Sequence, residues 1–196
     1  MTSAPSARAR WREGHVPGEV GVWIFVLGDM TLFAALFVAF LVERSEEPTV
    51  FVQARTTLSQ PLGALNMVVL LTSSLLVVLA VHAFREQRLR RADRCLAAAS
   101  VCGLVFLAVK GIEYAEKLHS GIGPGTNDYF MYFFILTGIH AVHVVLGLVV
   151  LTLVRHVVRR PSLGSNASRT IESGASFWHM VDLLWVVIFP LLYLAS

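Results

Sequence analysis

Residues 129–154, YFMYFFILTGIHAVHVVLGLVVLTLV, run for 26 residues without Asp, Glu, Lys or Arg. About 20 such residues cross a hydrocarbon core of about 30 Å. Inside that core a backbone must pair its own polar groups, so a lone apolar stretch of this length is dictated to be a helix. His140 and His143 lie near its middle, three residues apart, and therefore share one face. Polar groups at that depth are costly without partners, so this face is expected to point into protein.

The rest of the chain is of the same kind. It is 56% hydrophobic and 15% charged, with a mean hydropathy of +0.67 over 196 residues. That is far from the mix of a soluble domain and points to a polytopic membrane protein of one bundle. The net charge of +3 is no nucleic-acid signal, because the arginines fall between apolar segments rather than on one basic surface. Cys95 and Cys102 form no zinc or redox pattern and read as small apolar residues.

In chain order, residues 1–17 read as a cytoplasmic polar tail without the features of a cleavable signal peptide. Residues 18–196 read as a single all-α domain of five transmembrane helices. The spans fall at about 20–42, 62–84, 95–114, 129–154 and 174–194, each long enough to cross with some tilt. Pro17 and Pro61 precede two of them, where a missing N–H does no harm. Pro190 lies inside the fifth and is expected to kink it or mark a frayed end. Short connections predict that neighbours in sequence are antiparallel neighbours in space.

Twelve arginines fall on one side of the bundle: Arg8, Arg10 and Arg12; Arg85, Arg88, Arg90, Arg91 and Arg94; Arg155, Arg159, Arg160 and Arg169. The other side has Arg44, Arg55 and Lys117. This bias predicts a cytoplasmic N-terminus and an outside C-terminus.

At about 1.5 Å per residue, Asp29 is then roughly 14 Å deep, His143 roughly 16 Å and Asp182 roughly 12 Å, with His179 one turn closer to the cytoplasm. A second set, Asn66 with Lys110 and Glu113, falls nearer the outer side; Lys110 and Glu113 are i,i+3 and able to pair. Three readings stand open from these residues. Imidazoles could ligate haem or copper, although His140 and His143 share a face and cannot be opposite axial ligands, which makes His143 with His179 the better pair. Asp29, His143 and Asp182 could line a proton or ion path. Or the polar groups hydrogen-bond between helices and fix the bundle's register, the simplest of the three. A protonated Asp29 would have His143, the fifth span or a lipid head group to donate to.

Trp23, Trp178 and Tyr193 lie near predicted helix ends, where interfacial aromatics sit. Phe130, Phe133 and Phe134 read as packing surface. Small residues (Gly28, Ala34, Ala35; Gly103, Ala108; Gly138, Ala141) are expected to let helices approach closely.

Four segments carry a likeness: LGALNMVVLLTSSLLVVLAVHA, KGIEYAEKLHSG, YFFILTGIHAVHVVLGL and SFWHMVDLLWVVIFPLLYL. Together, and above all in TGxHxxHVxxG followed by WHxVDxxW, the chain resembles subunit III of the cytochrome c oxidase (haem–copper oxidase) family. It looks like the last five helices of the seven-helix members. Gly28-Asp29-Met30 stands where the family usually has Ser-Glu, and in this it is more similar to the short NorE-like branch encoded beside nitric oxide reductases.

The resemblance implies a non-catalytic subunit of a terminal oxidase in the cytoplasmic membrane of a prokaryote, with haem and copper in partner subunits and none of its own. It implies packing against catalytic subunit I, or the catalytic subunit of a nitric oxide reductase. It also implies bound phospholipid and support of proton uptake. Asp29 would match the family's intramembrane carboxylate, and Glu113, His140, His143, His179 and Asp182 its other buried polar residues. From other classes, a stand-alone proton or ion carrier and a small b-type cytochrome are the rivals.

Overall fold

A computed structural model describes residues 20–160 and 166–194. The polar tail, with Arg8, Arg10, Arg12 and Pro17, lies outside the described residues. Among those described, the regular structure is helical: α1 (Val20–Glu46), α2 (Pro48–Thr56), α3 (Gln60–Arg85), α4 (Leu89–His119), α5 (Asp128–Val158) and α6 (Ala167–Phe189), the last running into a π-turn at Pro190–Leu194. Five of these, all but α2, are long and apolar enough to cross a membrane.

Local chemistry sets the boundaries. Pro61 opens α3 and Pro48 opens α2, each in the first turn, where no N–H is missed. Asn127 caps α5 by accepting from the Phe130 N–H at 2.9 Å. The turn between α3 and α4 is tight: Gln87 takes φ +60, and the Arg88 N–H reaches the Ala83 carbonyl at 2.9 Å, the 6→1 bond of a Schellman ending. α4 and α6 begin six to seven residues before the predicted spans. Their first turns hold Arg90, Arg91, Asp93 and Arg94, or Arg169 and Glu172, so charge ends the hydropathy signal before the helix ends.

The spanning helices alternate in direction. α3 lies against α4, α4 against α5, α5 against α6, and α6 returns to α3. The most enclosed is α6, with 61% of its most apolar window buried, against 39% for α5 and 11% for α1. Trp178 explains its position, since four helices meet there. A Cβ added to Gly103 of α4 or Gly147 of α5 would fall 2.9 or 2.7 Å from the indole. Its Nε1–H donates to Ser73 of α3 at 3.1 Å, and Ser73 in turn donates to the Ala99 carbonyl of α4 at 3.0 Å.

Three expectations fail here. α1 packs on α5, α6 and α2 rather than chiefly on α3, its spanning neighbour in sequence. The reason is α2, whose Phe51 meets Phe40 and Tyr129 and carries the connection sideways across α5. Trp178 and Tyr193 are fully buried rather than interfacial. Gly28, Ala34, Ala35 and Ala108 are exposed rather than at helix contacts, and a Cβ on Gly28 would meet nothing within 4 Å.

Pro190, expected to kink the fifth span or mark a frayed end, stands where the helix changes form. A helix passing a proline loses a hydrogen bond and must make room for the ring, and here the chain widens into the π-turn. The carbonyls of this closing turn are taken by side chains of three other elements. Tyr129 donates to Leu192 at 2.7 Å, Gln60 to Tyr193 at 3.2 Å and Arg55 to Leu194 at 2.9 Å.

Candidate functional site

Buried polar side chains gather in three places. Between α1 and α5, His143 Nε2 lies 2.9 Å from Asp29 Oδ1, and His143 Nδ1 lies 2.8 Å from the Ile139 carbonyl of its own helix. Phe33 packs edge-on to the imidazole at 5.7 Å. The intrahelical contact to Ile139 fixes the ring, and Asp29 meets the side left free.

Near the arginine-poor end, Lys110 and Glu113 of α4 pair at 2.7 Å, both buried. Tyr193 completes a triangle that sequence reasoning missed. Lys110 Nζ donates to its hydroxyl at 2.7 Å, and the hydroxyl donates to Glu113 Oε1 at 2.7 Å. The ammonium also lies 4.6 Å from the Trp185 ring centroid, a cation–π contact in a desolvated place. Gly63 makes room, since a Cβ there would strike Phe189 and Tyr193. The i,i+3 spacing displays the ion pair; the tyrosine comes from 80 residues away.

Between α3 and α6, Ser74 Oγ meets His179 Nδ1 at 2.7 Å. Asp182, one turn further along α6, is buried beside Ser74 but outside hydrogen-bond geometry with it. Asp29, His143 and Asp182, matched in depth by residue count, thus fall into two clusters on different helix pairs.

His140 joins neither. Its ring is fully buried, stacked on Trp185 and edge-on to Phe106, each at 5.3 Å. Neither of its nitrogens, nor either amide atom of the fully buried Asn66, meets a protein hydrogen-bond partner. His143 faces Asp29 and His179 faces Ser74, so the two imidazoles suggested as a haem pair are directed at different helices. Among the described residues no three of His, Cys, Asp and Glu are grouped closely enough to hold a metal ion.

The family model described as cytochrome c oxidase subunit III matches residues 16–196. The chain belongs to the cytochrome c oxidase subunit III family. Cytochrome c oxidase subunit 3 of Synechocystis is 31% identical over 175 residues, covering 89% of this chain and 74% of that one. Cytochrome bo(3) ubiquinol oxidase subunit 3 of Buchnera aphidicola is 29% identical, covering 89% and 84%. A probable quinol oxidase subunit 3 of Staphylococcus aureus is 27% identical, covering 95% and 92%. As an oxidase subunit III, the chain is a non-catalytic membrane subunit of a haem–copper terminal oxidase. Its buried ionisable groups are to be read as those of a subunit without a redox centre of its own.

Proposed function

We propose that the chain seats against the haem–copper catalytic subunit I in the cytoplasmic membrane of a prokaryote, arginine-rich end inward. There it holds the active subunit in shape and sustains its proton uptake. The observation that carries this reading is where the polar groups go. Asp29 with His143, Lys110 with Glu113 and Tyr193, and Ser74 with His179 each engage across or along helices. They do not converge on a shared reaction chamber, which is what a structural partner needs and a carrier does not. The sparsely buried α1 leaves an uncharged face with Gly28, Thr31 and Ala35 against which another helix can lie closely.

Phospholipid belongs to the same reading. A groove of about 410 Å³ at the arginine-rich end of α1, α5 and α6 is walled by Val22, Phe25, Leu153 and Phe177, a lining suited to an acyl chain. The names of the relatives, all oxidases, favour an oxygen-reducing partner over the nitric oxide reductase suggested by Gly28-Asp29-Met30.

The experiment is turnover of the complex with and without this chain. The oxidase lacking it should lose activity several-fold sooner during sustained turnover. An unchanged lifetime together with an unchanged yield of catalytic subunit would contradict the proposal.

A further inference from the structure

Four of the nine described arginines at the arginine-rich end are matched by acids. Arg85 pairs with Glu172 at 3.0 Å and Arg88 with Glu86 at 3.3 Å. Arg155 and Arg159 of α5 converge on Asp93 of α4 at 2.6 and 2.7 Å. Asp93 is the only acid in the first two turns of α4, and it is turned toward α5. Arg90, Arg91 and Arg94 are left exposed on the same two turns with no acidic partner among the described residues.

We infer that the start of α4 is a headgroup site for an anionic phospholipid, held by Arg90, Arg91 and Arg94. Two further features give it shape. The tight Gln87 turn places these arginines around a depression of about 650 Å³ that also takes in Arg88 and Leu89. The N-cap residue of α4, Arg88, makes no side-chain cap, so the helix's first N–H groups add to the positive field.

The helix below supplies the rest of a lipid site. Arg90 and Arg94 lie on one helical face with Val101, Leu104 and Ile112, all exposed. Val101 and Leu104 are about 10 and 15 Å along the axis from Arg94, the distance over which an acyl chain descends from its phosphate. A basic cluster immediately beside a membrane span attracts anionic headgroups. Here the charge and the apolar strip are on one face, a combination that a soluble anion cannot use and a phospholipid can. The site lies on α4, apart from the groove of α1, α5 and α6, and does not rest on the oxidase assignment.

The test is native mass spectrometry of the full-length chain, extracted in mild detergent and offered equimolar phosphatidylglycerol and phosphatidylcholine. The wild-type chain should retain phosphatidylglycerol in about tenfold preference. The Arg90→Gln/Arg91→Gln/Arg94→Gln variant should fall to about parity at unchanged melting temperature. The triple Lys variant, which keeps the charge, should retain most of the preference, and Arg169→Gln on α6 should retain all of it. Equal retention of both lipids by the wild type would overturn the site, as would a preference that survives the triple Gln change. An equal loss in Arg169→Gln would show a diffuse basic surface rather than a site and would overturn it as well.

Discussion

Asp29 of α1 and His143 of α5 meet across the helix interface, Oδ1 against Nε2 at 2.9 Å. A carbonyl only accepts, so the Nδ1 that lies 2.8 Å from the Ile139 oxygen must carry hydrogen. The 2.9 Å contact between Nε2 and Asp29 Oδ1 then needs a second proton, on the imidazole or on the carboxyl.

We propose that Asp29 acts as a strut. Asp29→Asn offers an amide N–H to Nε2 and should preserve both assembly and turnover within about twofold. Asp29→Leu leaves Nε2 buried without a partner, at a cost of about 1–3 kcal/mol, and should loosen α1. Subunit content and oxygen consumption of the assembled complex check both. A tenfold fall in turnover for Asp29→Asn, with subunit content unchanged, would show a proton relay instead.

The Lys110–Glu113–Tyr193 triangle has a different signature. Removing one partner of a buried ion pair strands the other charge and costs about 3–5 kcal/mol, whereas replacing the pair by apolar residues of similar volume is often neutral. Glu113→Met alone should therefore destabilise the purified chain more than Lys110→Met and Glu113→Met together. Unfolding in detergent gives the order of stabilities, and an additive double variant would contradict the coupling.

How much of this was legible is itself a matter of physics. Length and lack of charge are imposed by the bilayer, so the five spans show plainly in the sequence. What the bilayer does not impose is the lateral arrangement. α2 was invisible because nine residues of mixed polarity beginning at Pro48 resemble any loop, yet it decides where α1 lies. Trp178 was misplaced because Arg169 and Glu172 hide the first turns of α6, which put a central residue near an apparent end. Tyr193 does stand at a helix end; only Lys110, Glu113 and Gly63, on other helices, turn it inward. Lys110 with Glu113 could be read from spacing alone. The pairing of Asp29 with His143 could be placed only at matched depth, with two other partners equally open.

Two glycines separate packing within the chain from packing against a partner. Gly147→Leu must displace Trp178 from the meeting point of four helices. It should cost about 1–3 kcal/mol or more, with a shift in indole fluorescence. Gly28→Leu enters open space and should leave the melting temperature of the isolated chain unchanged. In the complex it should weaken association, if α1 is the docking face. A Gly28→Leu variant that unfolds on its own would contradict this division.

The most direct test of the account is extraction of native membranes in gentle detergent, followed by affinity isolation of this chain. Recovery of a haem–copper catalytic subunit in about equal amount, identified by its haem spectrum and by mass, is the predicted result. Recovery of this chain alone or only with copies of itself, while the catalytic subunit is present in the same extract but unattached, would contradict it.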